Sequence, residues 1–458
     1  MRPPPVVTMA RLMDLLLRGG TLVTCDPSNR VFEGDLLISD GKIRALGPDA
    51  RREASGLTHV LDATGCAVMP GLVQAHVHLC QTLFRGMADD LPLLTWLRER
   101  IWPLEAAHDP ASLRASADLG LVELIQGGTT CVLDMGTVHH HDAVFEALRD
   151  AGLRAVSGKT MMDAGRGVPD GLRERTADSL AESDALCQRW HRSHNDRLRY
   201  AFSPRFILSC SKRLLAAAAK LARRRGAMLH THAAEHPDER EAVREIMGGD
   251  DVDVLASLGI AGPDVVLAHG VQLTAAQRRR VARAGTRVCH CPNANMKLGS
   301  GVAKVTAMRE AGVVVALGAD GPPCNNNLDG WTEMRNAALL AKREGDTTAL
   351  PAREVLRMAT IEGARALGLD GVIGSLEVGK RADVIAVSLG GPHAEPGGGP
   401  EARLVYATRA SDVRHVVVDG RVLMQFRALR TLDAQAVVSR ARAEAAKVAA
   451  RAGVAVAP

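Results

Sequence analysis

At 458 residues the chain has room for more than one domain, each with a full core. Hydrophobic residues at 46% and charged residues at 24% are the proportions of a soluble globular protein. The net charge of +5 is thinly spread and aromatics are only 3%, which excludes a basic, aromatic-laced nucleic-acid surface. The one dense basic cluster, Arg278-Arg279-Arg280, reads as a solvated helix face. There is no uninterrupted 18-residue apolar run, and residues 1–5 (Met-Arg-Pro-Pro-Pro) do not lead into a secretory-type apolar stretch. Nine cysteines, odd in number and mostly within apolar runs, read as free thiols in a reducing compartment. A cytoplasmic protein with no membrane partner is expected.

In chain order, residues 11–68 carry short strand-like pieces. Leu22-Val23-Thr24 comes first, then Asp35-Leu36-Leu37-Ile38, with Asp40-Gly41 leading into Lys42-Ile43-Arg44-Ala45-Leu46. Asp-Gly between apolar runs is a hairpin signal. From 69 to 372 the pattern alternates. Apolar strand candidates end near His78, Asp134, Lys159, Pro204, His232, His269, His290 and Asp320, with helix-like stretches such as 109–126, 214–225 and 274–284 between them. Eight strand–helix units predict an α/β protein built on a (β/α)8 TIM barrel. A doubly wound open sheet is the competitor, but no Gly-x-Gly-x-x-Gly follows any strand. Beyond the barrel, Asp383-Val384-Ile385-Ala386-Val387 and a second Asp-Gly hairpin around Asp419-Gly420 return to the opening texture. Residues 390–400, rich in Gly and Pro, read as a surface loop, and 433–450 as an Ala-rich terminal helix. The division expected is 1–68 and 373–458 as the two halves of a small β-sandwich domain, flanking a barrel over 69–372.

The barrel matters for chemistry because the C-terminal ends of its strands share one mouth. His76 and His78 sit two apart on a strand and point the same way. His232, His269 and Asp320 each close a later strand, and five such groups around one mouth are the makings of a metal-dependent hydrolase. Cys289-His290-Cys291 lacks a second cysteine pair and reads as a strand end. His139-His140-His141 reads as a loop rather than a metal tract, with a place for one of them at the pocket left open, and His230 as a supporting residue.

Longer motifs carry a resemblance. Pro70-Gly71-Leu72 with His76-x-His78, His232-x-x-Glu235, Ala268-His269-Gly270, the run from His290-Cys291-Pro292-Asn293 to Ser300-Gly301, Leu317-Gly318-Ala319-Asp320-Gly321, and Gly374-Ser375-Leu376-Glu377-Val378-Gly379-Lys380 resemble the amidohydrolase superfamily. The likeness is to its aminohydrolase branch of methylthioadenosine/S-adenosylhomocysteine, 5′-deoxyadenosine and guanine deaminases and triazine hydrolases. It implies one divalent metal on His76, His78, His232 and Asp320, zinc first and iron(II) as the alternative. It also implies catalytic roles for Asp320 as proton acceptor, His269 as stabiliser of the tetrahedral intermediate, and Glu235 as proton shuttle. The two-metal branch with a carboxylated lysine is disfavoured, since Ser203-Pro204-Arg205-Phe206 offers no lysine. The nucleic-acid deaminase signature is absent as well.

The substrate signals conflict. Glu105, in Pro103-Leu104-Glu105, resembles the glutamate that grips ribose hydroxyls in adenosine-type members. Arg205 and the Trp96 segment resemble guanine deaminase, and Lys159 stands where an arginine is expected in the homocysteine-binding enzymes. These four residues are the expected substrate contacts. The expectation is hydrolytic deamination of a 5′-modified adenosine to its inosine analogue, with guanine or a triazine as the alternative substrate and a non-catalytic metal-binding scaffold as the remote one. A small-molecule purine or nucleoside partner, no nucleic acid, and a homo-oligomer complete the expectation.

Overall fold

The computed structural model describes residues 13–455, so residues 1–5 lie outside the described part. The chain begins with β1 (Leu15–Val23), β2 (Val31–Ser39), β3 (Lys42–Leu46), β4 (His59–Asp62) and β5 (Cys66–Pro70). Then follow β6 (Leu72–Val77), β7 (Thr129–Met135), β8 (Arg154–Gly158), β9 (Thr160–Met161), β10 (Leu198–Pro204), β11 (Met228–Ala233), β12 (Val265–His269), β13 (Arg287–His290) and β14 (Val315–Leu317). The last four are β15 (Val384–Ser388), β16 (Val413–Val418), β17 (Arg421–Gln425) and β18 (Ala428–Leu429).

Strands from both ends of the chain make one mixed sheet in the order β18-β17-β16-β15-β5-β1-β2-β3, with β4 beside β1. The two halves join where β15 runs antiparallel to β5, with Val384 opposite Pro70. The small sheet therefore keeps the chain up to that proline. Both Asp-Gly hairpins form with left-handed residues at the turn: Asp40 and Gly41 have φ of 50° and 75°, Asp419 and Gly420 have 52° and 75°. The two turns touch, and a Cβ on Gly420 would lie 2.5 Å from the Gly41 Cα, so only glycine permits the contact.

The parallel strands follow one another as β6-β7-β8-β10-β11-β12-β13-β14, with β9 extending the line of β8 against β10. The ring is drawn shut where Val77 bridges Asp320, and the Asp320 N–H donates to the His76 carbonyl at 3.1 Å. Strands β6 and β7 are buried along their whole length, as a parallel sheet covered on both faces requires. The outer helices start where their caps dictate. Pro110–Gln126 opens on a capping box of Asp109 and Ser112, and Ala275–Ala284 on one of Thr274 and Gln277. Ser211 caps Lys212–Arg225, which stops at a left-handed Gly226. Barrel and small sheet are tied by a buried ion pair, Arg154 Nε to Asp383 Oδ2 at 2.7 Å. The terminal helix, Ala434–Ala452, lies along Pro110–Gln126, with Arg440 bound to Asp118 at 2.6 Å. All nine cysteines are free and buried. Among the described residues no helix is long and apolar enough to cross a membrane.

Candidate metal centre and active site

His76 and His78 leave β6 at the barrel mouth, His232 leaves β11, and Asp320 follows β14. Each offers one donor atom, and the four atoms lie within 4.8 Å of one another. His76 Nε2 and His78 Nε2 are 3.2 and 3.3 Å from Asp320 Oδ1, and His78 Nε2 is 3.2 Å from His232 Nε2. The far nitrogens are held from behind. His78 Nδ1 donates to the Met135 carbonyl at 2.7 Å and His232 Nδ1 to the Arg205 carbonyl at 2.8 Å, which leaves the Nε2 lone pairs free to face the centre. His76 Nδ1 pairs with His230 Nε2 at 2.9 Å, the supporting contact expected of His230. Burial, reinforced by neighbouring positive groups, pushes the pKa of all three imidazoles well below the usual histidine value, so they are neutral. Three neutral imidazoles and one carboxylate, with His76 Nε2 buried and without a hydrogen-bond partner, fit a divalent metal.

Close packing dictates the backbone here. A Cβ on Gly318 would lie 2.6 Å from the His76 carbonyl oxygen, so the strand before Asp320 is able to approach only as glycine. Asp320 itself has φ of 62° and His269 of 75°, left-handed values rare outside glycine. Burial works to raise the Asp320 pKa, but the facing His269, His78 and His232 hold it below the ordinary carboxylate value.

His269 closes β12 with Nδ1 against Asn295 Oδ1 at 2.9 Å and turns Nε2 towards Glu235 Oε2 at 3.5 Å and Asp320 Oδ2 at 3.9 Å. Burial, then the charge of Asp320, raises the Glu235 pKa well above the normal glutamate value against the pull of Arg205. Both effects favour the protonated acid, and Glu235 lies beside but outside the four-donor group.

A cavity opens on these groups. Leu93, Trp96, Leu97, Phe206 and Leu298 give it apolar walls, and Gln81 and Arg205 add polar ones. Of the expected substrate contacts, Trp96 and Arg205 line this cavity. Glu105 stands behind the wall: Oε2 accepts from Arg205 Nη1 at 2.6 Å and Oε1 from Gln81 Nε2 at 2.8 Å. Lys159 is elsewhere. Its ammonium is fully buried between Glu174 and Glu182 and takes no part in the cavity lining, a correction to its expected role. The same cation occupies the cluster of His139, Glu174 and Glu182, which offers three more donor atoms within 4.8 Å. None of His139, His140 and His141 lines the cavity. His141 instead sits in a buried relay through Ser157 to Asp134, whose Oδ1 accepts from the Leu79 N–H at 2.9 Å, just beyond His78. The sequence reading missed Gln81 and Asn295, although both lie in or beside the motifs that carried the resemblance.

The model of the Amidohydrolase family matches residues 67–423. A 5-methylthioadenosine/S-adenosylhomocysteine deaminase of Syntrophobacter fumaroxidans is 42% identical over 94% of this chain and 97% of its own. A 5′-deoxyadenosine deaminase of Methanosarcina acetivorans is 38% identical over 96% of this chain and 100% of its own. Among solved structures, an adenosine deaminase of Xanthomonas campestris with bound zinc superposes with a TM-score of 0.90 at 33% identity, over 96% of this chain and 99% of that one. Matches of this extent, in sequence and in three dimensions, leave one conclusion: the chain belongs to the amidohydrolase family.

Proposed function

We propose that the protein is a metal-dependent aminohydrolase that replaces the 6-amino group of a 5′-modified adenosine by oxygen, releasing ammonia. The observation that carries this reading is the placement of a buried Glu235 carboxyl, 3.5 Å from a tautomer-fixed His269, against the four-donor group at the cavity floor. The Syntrophobacter and Methanosarcina relatives are named as deaminases of that substrate class. His76, His78, His232 and Asp320 hold the metal, zinc by the donor set and by the zinc-bearing neighbour. When bound, the metal supplies Lewis-acid activation of a water molecule. Asp320 accepts a proton from the attacking water. His269 Nε2 faces the oxygen that adds to C6, while Glu235 gives its proton to the adjacent ring nitrogen and then relays one to the departing amine. The apolar walls exclude other water.

A second reading, guanine-type substrates, is favoured by one specific contact set. Glu105 turns its carboxylate oxygens to Gln81 and Arg205 and is buried behind the cavity wall, out of reach of a ribose diol in the cavity. Ammonia release is to be measured side by side from 5′-deoxyadenosine, methylthioadenosine, S-adenosylhomocysteine, adenosine and guanine. The first two are expected to lead, and turnover of guanine alone overturns the nucleoside reading.

A further inference from the structure

The turn that carries Glu235 is gripped from below by two buried carboxylates that the proposed reaction does not use. Between β11 and the helix Pro237–Met247 the chain passes through Ala234, whose φ of 54° is left-handed for a residue with a side chain. Both peptide groups flanking Ala234 are claimed. The Ala233 and Ala234 carbonyls accept from Gly270 and Gln272 N–H at 3.1 and 2.8 Å. The Ala234 N–H donates to Asp251 Oδ2, and the Glu235 N–H donates to Glu239 Oε2 at 3.0 Å. Glu239 and Asp251 are 1% and 3% exposed.

A glutamate on the first turn of a helix usually reaches back to the capping residue, here His236. Glu239 reaches one residue further, to the backbone of the acid itself. Asp251 comes from a separate helix, Asp251–Ser257, and takes the neighbouring N–H. A pair of carboxylates is an expensive way to fill a dry space unless their acceptors are needed.

We infer that Glu239, with Asp251, is a positioning residue that fixes the left-handed turn at Ala234 and so aims the Glu235 carboxyl at the cavity. This rests on the reading of Glu235 as the proton shuttle. Burial first, then the charges of Asp251 and Glu235, push the Glu239 pKa up to about 8, and burial raises Asp251 as well. The pair therefore keeps a proton at neutral pH, which relieves the repulsion between the two groups while both acceptor oxygens stay in use.

The test compares Glu239→Gln, which keeps an oxygen acceptor, with Glu239→Leu, which fills the space without one, in the metal-loaded full chain. Amide hydrogen exchange over 233–236 reads the brace without any substrate. Exchange there is expected to quicken in Glu239→Leu and to stay slow in Glu239→Gln. Turnover of the best aminopurine should fall about 10- to 100-fold in Glu239→Leu, the scale of an ångström-sized misplacement, with KM within about threefold and metal content unchanged. Glu239→Gln should restore kcat to within about threefold of the parent, consistent with a neutral hydrogen bond in place of the original. Unaltered exchange and kcat in Glu239→Leu overturn the inference. Should that variant not fold, fast exchange of the Glu235 amide in the parent chain or in Glu239→Gln overturns it equally. A chain that turns over no aminopurine but shows the expected exchange pattern refutes the proposed reaction and leaves the brace standing.

Discussion

Glu105→Ala separates two roles for one carboxylate. As the anchor of the cavity wall, Glu105 neutralises Arg205 across 2.6 Å, with side chains 0% and 4% exposed, and orients Gln81. Removing one partner of a buried ion pair leaves a desolvated charge alone, which costs about 3–5 kcal/mol. Unfolding entropy of about 2.1 cal/mol/K per residue gives about 1 kcal/mol per degree for 458 residues. The substitution should therefore lower the Tm of the metal-loaded protein by about 3–5 °C. Because Arg205 and Gln81 both line the cavity, kcat/KM should drop for a nucleoside and for its free base alike. Glu105→Gln, which still accepts a hydrogen bond, should lie between parent and alanine variant. The assay is a thermal melt together with initial-rate ammonia release on matched nucleoside and base. A Tm within about 1 °C of the parent, with the loss confined to KM of ribose-bearing substrates, refutes the anchor and restores the diol grip.

Three further outcomes are expected. Asp320→Ala and His76→Ala should each lose bound metal by elemental analysis and lose turnover; full metal in Asp320→Ala would mean that the ligand set is wrong. Glu235→Gln should keep its metal while kcat falls about 10²- to 10⁴-fold, the usual contribution of general acid–base catalysis, and an active variant removes Glu235 from the reaction. Buried Glu333 accepts from Asn325 Nδ2 at 2.6 Å and from the Asn293 N–H at 3.3 Å. Burial pushes its pKa up from 4.5 to about 8. A carboxyl raised on folding contributes stability that is complete below its unfolded pKa and is lost as pH rises through the folded one. The parent should therefore lose up to about 4 kcal/mol between pH 5 and 8 that Glu333→Gln retains, and equal pH slopes of Tm in the two proteins count against this.

The barrel was legible because its signals are local. A strand buried on both faces is an apolar run, a helix start is an Asp109, Ser211 or Thr274 at the cap, and a hairpin is Asp-Gly with two left-handed residues. The parallel architecture then dictates that strand ends share a mouth. The grouping of His76, His78, His232, His269 and Asp320 thus followed from their places along the chain. What lies behind those groups was not legible. Lys159 also ends a strand, yet its ammonium turns away to Glu174 and Glu182, because a buried charge goes where its counter-charges are. Glu105 reads as a ligand-gripping carboxylate in its motif, but Arg205, a hundred residues away, takes one oxygen and Gln81 the other. The Met135 and Arg205 carbonyls that orient His78 and His232 carry no sequence signal, since every residue has one. Period, caps and turns depend on neighbours along the chain, and so the sequence by itself determined the fold and which side chains reach the mouth. Pairing of buried polar groups depends on neighbours in space, and only the packed tertiary structure decided which of those side chains face the cavity and which hold up the wall.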